Sequence, residues 1–229
     1  MPHFFNTRMK LADIIAANHS LILILPRLNI ALGFGEKSLQ EVCDSHGVPA
    51  DFMLLLCNLY TFDDYRPTVE ELHNVAMDPL VPYLKASHDY YMRERLPHIE
   101  THLNHIAAST SPRHGAILKQ FYADFRREIA AHFQREEKED FPKLERLQQG
   151  SRGKIAMGKH FERSHTDLVD KLNDLTQIVY KYLPGNDLPE ESIELVFDIL
   201  QLSADIQKHA LIEEKILLPW FSQTERSRI

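Results

Sequence analysis

A chain of 229 residues with 44% hydrophobic and 26% charged residues can bury a sizeable core, which excludes the disordered and collagen-like classes. A formal charge of −7 and a pI near 6.0 give no general basic field for a phosphate backbone, so nucleic acid is not an expected partner. Two cysteines, Cys43 and Cys57, without C-x-x-C spacing, predict a reducing, cytoplasmic setting and no disulfide framework.

Taken in order, residues 1 to about 70 read as a small helical domain. The apolar run Leu21 to Leu25 follows Asp13, Asn18 and His19 and stops at Pro26, too short for a membrane span, so it reads as a buried helix. No small-residue cleavage site follows an apolar core, and no signal peptide is expected. Gly33-Phe34-Gly35 is a turn. Ser38-Leu-Gln-Glu41 has the form of a capping box opening a helix to about Ser45, with Gly47 as its stop and Pro49 opening the next helix, which runs to about Tyr60. That pair has the look of a helix-turn-helix, but Phe52-Met-Leu-Leu-Leu-Cys-Asn-Leu offers almost nothing to a base edge or a phosphate and reads as buried. Asp63-Asp64-Tyr-Arg-Pro67 reads as a linker, whether hinge or docked loop.

From about residue 80 to 222 the pattern changes to four long amphipathic segments, with only 8 Gly in the whole chain. They run from about Pro82 to Ala108, Gly115 to Gln149, Lys154 to Leu183 and Glu190 to Ser222. Short connections make neighbours antiparallel, so the fold class is all-α, an up-down-up-down four-helix bundle preceded by the small helical domain. Pro142 and Pro219 are expected to kink or end the second and fourth helices at matching places.

Those two helices carry one motif twice. His132-Phe-Gln-Arg-Glu136-Glu137-Lys138 and His209-Ala-Leu-Ile-Glu213-Glu214-Lys215 each continue to a proline and lie 77 residues apart (132 to 209). The same offset pairs Ser87-His88 with Ser164-His165, Leu118 with Leu195, Ile129 with Ile206 and Glu128 with Asp205. The duplicated unit is a helical hairpin. A two-fold relation between the copies brings His88, His132 and Glu136 together with His165, His209 and Glu213. His and Glu four apart share a helix face. One such pair alone is an ordinary solvated surface pair; two copies at one offset, each with a matching Ser-His, point to a metal site, because buried imidazoles and carboxylates need a cation to offset their desolvation.

Imidazole and carboxylate suit iron, manganese or zinc. If Glu136 and Glu213 each bridge two metals and the imidazoles divide evenly, each metal has four protein bonds. An oxo or hydroxo bridge makes five and leaves one octahedral position open. A closed structural zinc site wants four ligands and nothing more, so two iron ions fit better, with zinc or manganese as substitutes. Glu128 and Asp205, four residues before His132 and His209, are placed to accept from the outer imidazole nitrogens. Tyr91, one turn past His88, either hydrogen-bonds a metal-bound oxygen or packs in the core. Glu137 and Glu214 lie about 100° round the helix, on a solvated face or behind a ligand. His98, His102 and His105 share a face roughly 15–25 Å further along and cannot serve the same metals. A ferritin-like arrangement needs E-x-x-H in two helices, and only Glu162-Arg-Ser-His165 has it; the counterpart of Glu162 is Lys85.

With S-H-D in the first helix, H-x-x-x-E-E in the second, E-x-S-H in the third and H-x-x-x-E-E-x-x-L-x-P in the fourth, residues 80 to 222 resemble the hemerythrin-like, HHE cation-binding proteins. The resemblance is greatest to the branch that includes the di-iron iron–sulfur cluster repair proteins. It implies two irons, two bridging carboxylates and two imidazoles per iron, on His88, His132, Glu136, His165, His209 and Glu213. It implies nitric oxide, dioxygen or peroxide chemistry in nitrosative or oxidative stress, with iron–sulfur proteins as partners. The segment Ile30 to Cys43 resembles that family's small domain, with Gly33-Phe34 in place of its Cys-Cys. The expected function is therefore a non-haem di-iron protein acting on a small diatomic ligand or peroxide. The alternatives are a non-catalytic sensor or carrier and, less favoured, a DNA-binding regulator.

Overall fold

The computed structural model describes residues 4–149, 161–182 and 188–226, with the side chains of 161–165, 182 and 226 outside the description. The fold is all-α: helices make up most of the described residues, and among these the β-type pairing is an isolated antiparallel bridge between Lys10 and Ser38. In chain order the shorter helices are α1 (Leu11–Ala17), α2 (Ile24–Arg27), α3 (Leu39–His46), α4 (Ala50–Thr61) and α5 (Val69–Asn74). The four long helices are α6 (Leu80–Tyr90) with α7 (Leu96–Ser109), α8 (Pro112–Arg135) with α9 (Phe141–Gln148), α10 (Phe161–Gln177), and α11 (Pro189–Ile212) with α12 (Leu218–Arg226).

Each long helix contains one π turn: Tyr91–Arg95, Glu136–Asp140, Ile178–Tyr182 and Glu213–Leu217. The N–H groups of Leu96, Phe141 and Leu218 reach the carbonyls of Tyr91, Glu136 and Glu213, five residues back. Pro97, Pro142 and Pro219 each stand two residues past a π turn, and Pro184 holds that place in the sequence after Tyr182. Proline cannot donate to the carbonyl four residues back, and its ring crowds it; a wide turn just upstream relieves both. The second and fourth helices therefore continue through Pro142 and Pro219 instead of ending there.

Contacts divide the chain into two compact units. Among the described residues, one takes those of Met1–Ala86, Lys143–Ala156 and Leu211–Ile229, the other those of Ser87–Pro142 and Met157–Ala210. In the first, the capping box is present: the Ser38 hydroxyl accepts from the Glu41 N–H, and the Glu41 carboxylate accepts from the Ser38 N–H at 2.8 Å. Gly47 ends α3 at φ 66°, a left-handed conformation that glycine adopts without strain. Helix α4 is buried along nearly its whole length, as its apolar sequence predicts, and Pro49 precedes it as the cap. Residues 63–67 are a docked loop: Tyr65 is buried and its hydroxyl bonds the Glu71 carboxylate. Glu71 belongs to α5, a short helix opened by a second capping box of Thr68 and Glu71. Arg27 is buried, with its guanidinium 5.9 Å from the Tyr83 ring centre and 3.4 Å from the Tyr60 hydroxyl.

In the second unit, α7, α8, α10 and α11 close on one core. Leu103 and Ile106, Leu118, Tyr122 and Phe125, Leu172 and Leu175, and Leu195, Ile199 and Leu202 line it at steps of three and four residues, the period of one buried helix face. Tyr91 and Leu96 are both fully buried five residues apart, the phase of the π turn between them. At the α7–α8 corner a Cβ on Gly115 would stand 2.3 Å from the Ala107 carbonyl oxygen. Gly115→Ala is thus expected to destabilise the protein by about 2–3 kcal/mol through overpacking against backbone. Denaturant unfolding with an unchanged midpoint would contradict this.

Candidate metal centre

The core stripe of α8 runs Leu118, Tyr122, Phe125, Ile129 and continues as His132 and Glu136; that of α11 runs Leu195, Ile199, Leu202, Ile206 and continues as His209 and Glu213. The steps are the same in both. Imidazole and carboxylate thus occupy positions where the pattern dictates burial, and His88, His132, Glu136, His209 and Glu213 are all 5% exposed or less. Glu136 and Glu213 also open their π turns. Residues five apart are in phase in such a turn, so Phe141 follows Glu136 onto one face; its ring is buried 5.5 Å from that of His88. Phe133 stacks on His88 with ring centres 3.9 Å apart.

The polar atoms converge. His88 Nε2 lies 3.2 Å from His209 Nε2 and 3.3 Å from Glu136 Oε2, while Glu136 Oε1 lies 3.0 Å from His132 Nε2. One ligand atom from each of His88, Glu136 and His209 falls within 4.8 Å of the other two. Imidazole nitrogens aimed at each other and at a carboxylate need a proton or a cation between them, and neutral nitrogen with anionic oxygen is the donor set of borderline divalent metals. The residues present fit a metal. His165 lies on α10, with its side chain outside the described residues.

Around these atoms, His88 Nδ1 is 2.8 Å from Glu137 Oε1. A proton on Nδ1 directed at that carboxylate leaves the Nε2 lone pair facing the site. Glu137, left open between two roles by its position on its own helix, thus stands behind His88 of another helix. The outer nitrogen of His132 faces Arg135 Nη2 at 3.4 Å. Glu128 is exposed and paired with Lys171. Asp205 is buried, and its backbone carbonyl accepts from the Tyr91 hydroxyl at 3.3 Å; the Tyr91 ring is itself buried 6.0 Å from that of His209. Glu137→Ala is expected to weaken metal binding by about 10- to 100-fold, the usual effect of removing a ligand's outer partner. Competition against a chelator measures it, and wild-type affinity would count against this role.

A family model for the hemerythrin HHE cation binding domain matches residues 80–221. The chain belongs to that family. The hemerythrin HHE assignment brings with it a cation-binding site. Among curated proteins the chain is similar to an iron–sulfur cluster repair protein ScdA of Staphylococcus epidermidis, 26% identical over 150 residues, covering 62% of this chain and 65% of that one. It is similar to the protein of the same name from Staphylococcus haemolyticus at 21% identity over 147 residues, 62% of this chain and 66% of that one. The aligned part thus spans just under two thirds of the length of these relatives. No solved structure gives a significant match. Among the described residues no helix is long and apolar enough to cross a membrane.

Proposed function

We propose that this hemerythrin-like protein is a non-haem di-iron protein of the cytoplasm that binds or reacts with nitric oxide, dioxygen or peroxide. Its setting is nitrosative or oxidative stress or the repair of iron–sulfur proteins. The observation that carries the reading is the convergence of buried ligand atoms from His88, Glu136 and His209 within 4.8 Å. On this reading residues 80–222 hold the metals through those three, His132, His165 and Glu213, and residues 1–70 form a separate small domain. Iron in such a site supplies an electrophilic, redox-active position for a small ligand. The protein's own part is to keep that position dry with Phe133, Phe141 and Tyr91, and to hold the His88 proton on Nδ1 through Glu137. The relatives' names support the repair setting. The test is anaerobic nitric oxide consumption by the reduced, iron-loaded protein, together with rescue of a damaged iron–sulfur enzyme. Absence of both defeats the reading.

A second reading, a sensor or carrier without turnover, is favoured by one observation in the small domain. Gly33-Phe34 stand at the turn where a thiol pair is expected, and the two cysteines are elsewhere and buried. Burial pushes the thiols of Cys43 and Cys57 up to about 12, so neither is a thiolate near neutral pH. Repair that needs a cysteine nucleophile is not served by them. A spectrum that changes reversibly with dioxygen or nitric oxide and yields no product selects this reading.

A further inference from the structure

A second group of metal-binding side chains lies further along the first long helix. His98 and His102 are four apart on α7, on one face, and Asp198 of α11 meets them there. Ten residues of helical rise separate His98 from His88, roughly 15 Å, so this group is distinct from the buried centre. One ligand atom from each of His98, His102 and Asp198 falls within 4.8 Å of the other two. His98 Nε2 stands 3.1 Å from Asp198 Oδ2.

Two neighbours arrange these groups. Arg95 Nη2 donates to Asp198 Oδ1 at 2.8 Å, which holds the carboxylate and leaves Oδ2 to His98. His102 Nδ1 lies 3.3 Å from Glu191 Oε1 on the same face of α11, seven residues before Asp198. A proton on that nitrogen leaves Nε2 as the ligating atom, the carboxylate–histidine pairing that usually stands behind a metal-bound imidazole. His105 Nδ1 meets the same Glu191 oxygen at 2.9 Å. The two carboxylates outweigh the single guanidinium, so the surroundings favour a cation. The partners are neither sealed nor fully solvated: the side chains of His98, His102 and Asp198 are 50%, 21% and 18% exposed, so an ion reaches them from solvent.

We propose that His98, His102 and Asp198 form a second, mononuclear site for a borderline divalent cation of the zinc class, tying α7 to α11. Two imidazoles and a carboxylate select against calcium and magnesium, and three protein ligands leave the fourth tetrahedral position to water. The site stands independently of the metal in the buried centre and of the reaction proposed for it.

Cobalt(II) titration of the full chain, with its buried centre first loaded with iron, tests this through visible absorption and metal content after gel filtration. One further ion per chain in four-coordinate geometry, displaced by zinc, is expected. His98→Gln and Asp198→Asn should each bind it at least about tenfold more weakly, the scale on which ligand-sphere changes act. Glu136→Gln should retain it. Asp198→Asn keeps the Arg95 bond at Oδ1 and gives the reading if His98→Gln does not fold. Equal uptake by wild type and both variants, loss of the extra ion in Glu136→Gln, or no uptake beyond the buried centre at micromolar cobalt overturns the proposal.

Discussion

If the buried centre holds iron and consumes nitric oxide as proposed, Glu136→Gln is expected to release most of that iron and, with it, the consumption. The two carboxylate oxygens serve imidazoles from different long helices, Oε2 at 3.3 Å from His88 and Oε1 at 3.0 Å from His132. The amide has nearly the same volume but carries no charge and turns an N–H₂ donor towards one of the two. In a site this buried a metal dication is then left short of an anion, and removing one partner of a buried charge pair costs about 3–5 kcal/mol. That corresponds to a loss of more than about a hundredfold in affinity. The metal-free variant should fold as metal-free wild type does, because imidazoles left without a counter-charge can become neutral. Glu139→Gln, three residues on and exposed, is the control and should change nothing. Iron per chain after anaerobic reconstitution decides: a Glu136→Gln variant with the wild-type content removes this carboxylate from the proposed ligands.

The repeat was legible because it is a core pattern before it is a metal motif. Leu118 to Glu136 and Leu195 to Glu213 share every step, and burial of the apolar members carries the polar ones inward with them. What stayed hidden depends on relations that a single helix does not display. Pro142 and Pro219, read against four-residue hydrogen bonding alone, signal a kink or a stop; five-residue bonding upstream lets the helix pass, and only the backbone shows it. Glu137 is off the ligand face of its own helix, yet its bond runs to His88 on another. Glu128 has the spacing for an outer partner of His132, but the buried stripe passes through Ile129, and Glu128 falls outside it beside Lys171. Helix α5 is six residues long, too short for an apolar period, and its capping box sits just after a proline in a polar stretch.

Stripping the metal from the loaded protein is expected to lower its melting temperature by about 10 °C. A cation that binds only the folded chain stabilises it by about 4 kcal/mol when present at a thousand times its dissociation constant. For a domain of 150–250 residues each kcal/mol is worth roughly 2–4 °C. The cause is specific to this site. His88 Nε2 and His209 Nε2 lie 3.2 Å apart beside the Glu136 carboxylate, nitrogen and oxygen donors that one cation serves together. A proton cannot satisfy nitrogen and oxygen donors from several helices at once, and a metal can. Glu136→Gln should therefore melt close to metal-free wild type whether or not iron is offered, and iron should raise only the wild-type transition. Differential scanning calorimetry of the two proteins, each with and without iron, checks this; a wild-type transition that chelation leaves in place would show that the buried histidines and carboxylates are stable on their own terms.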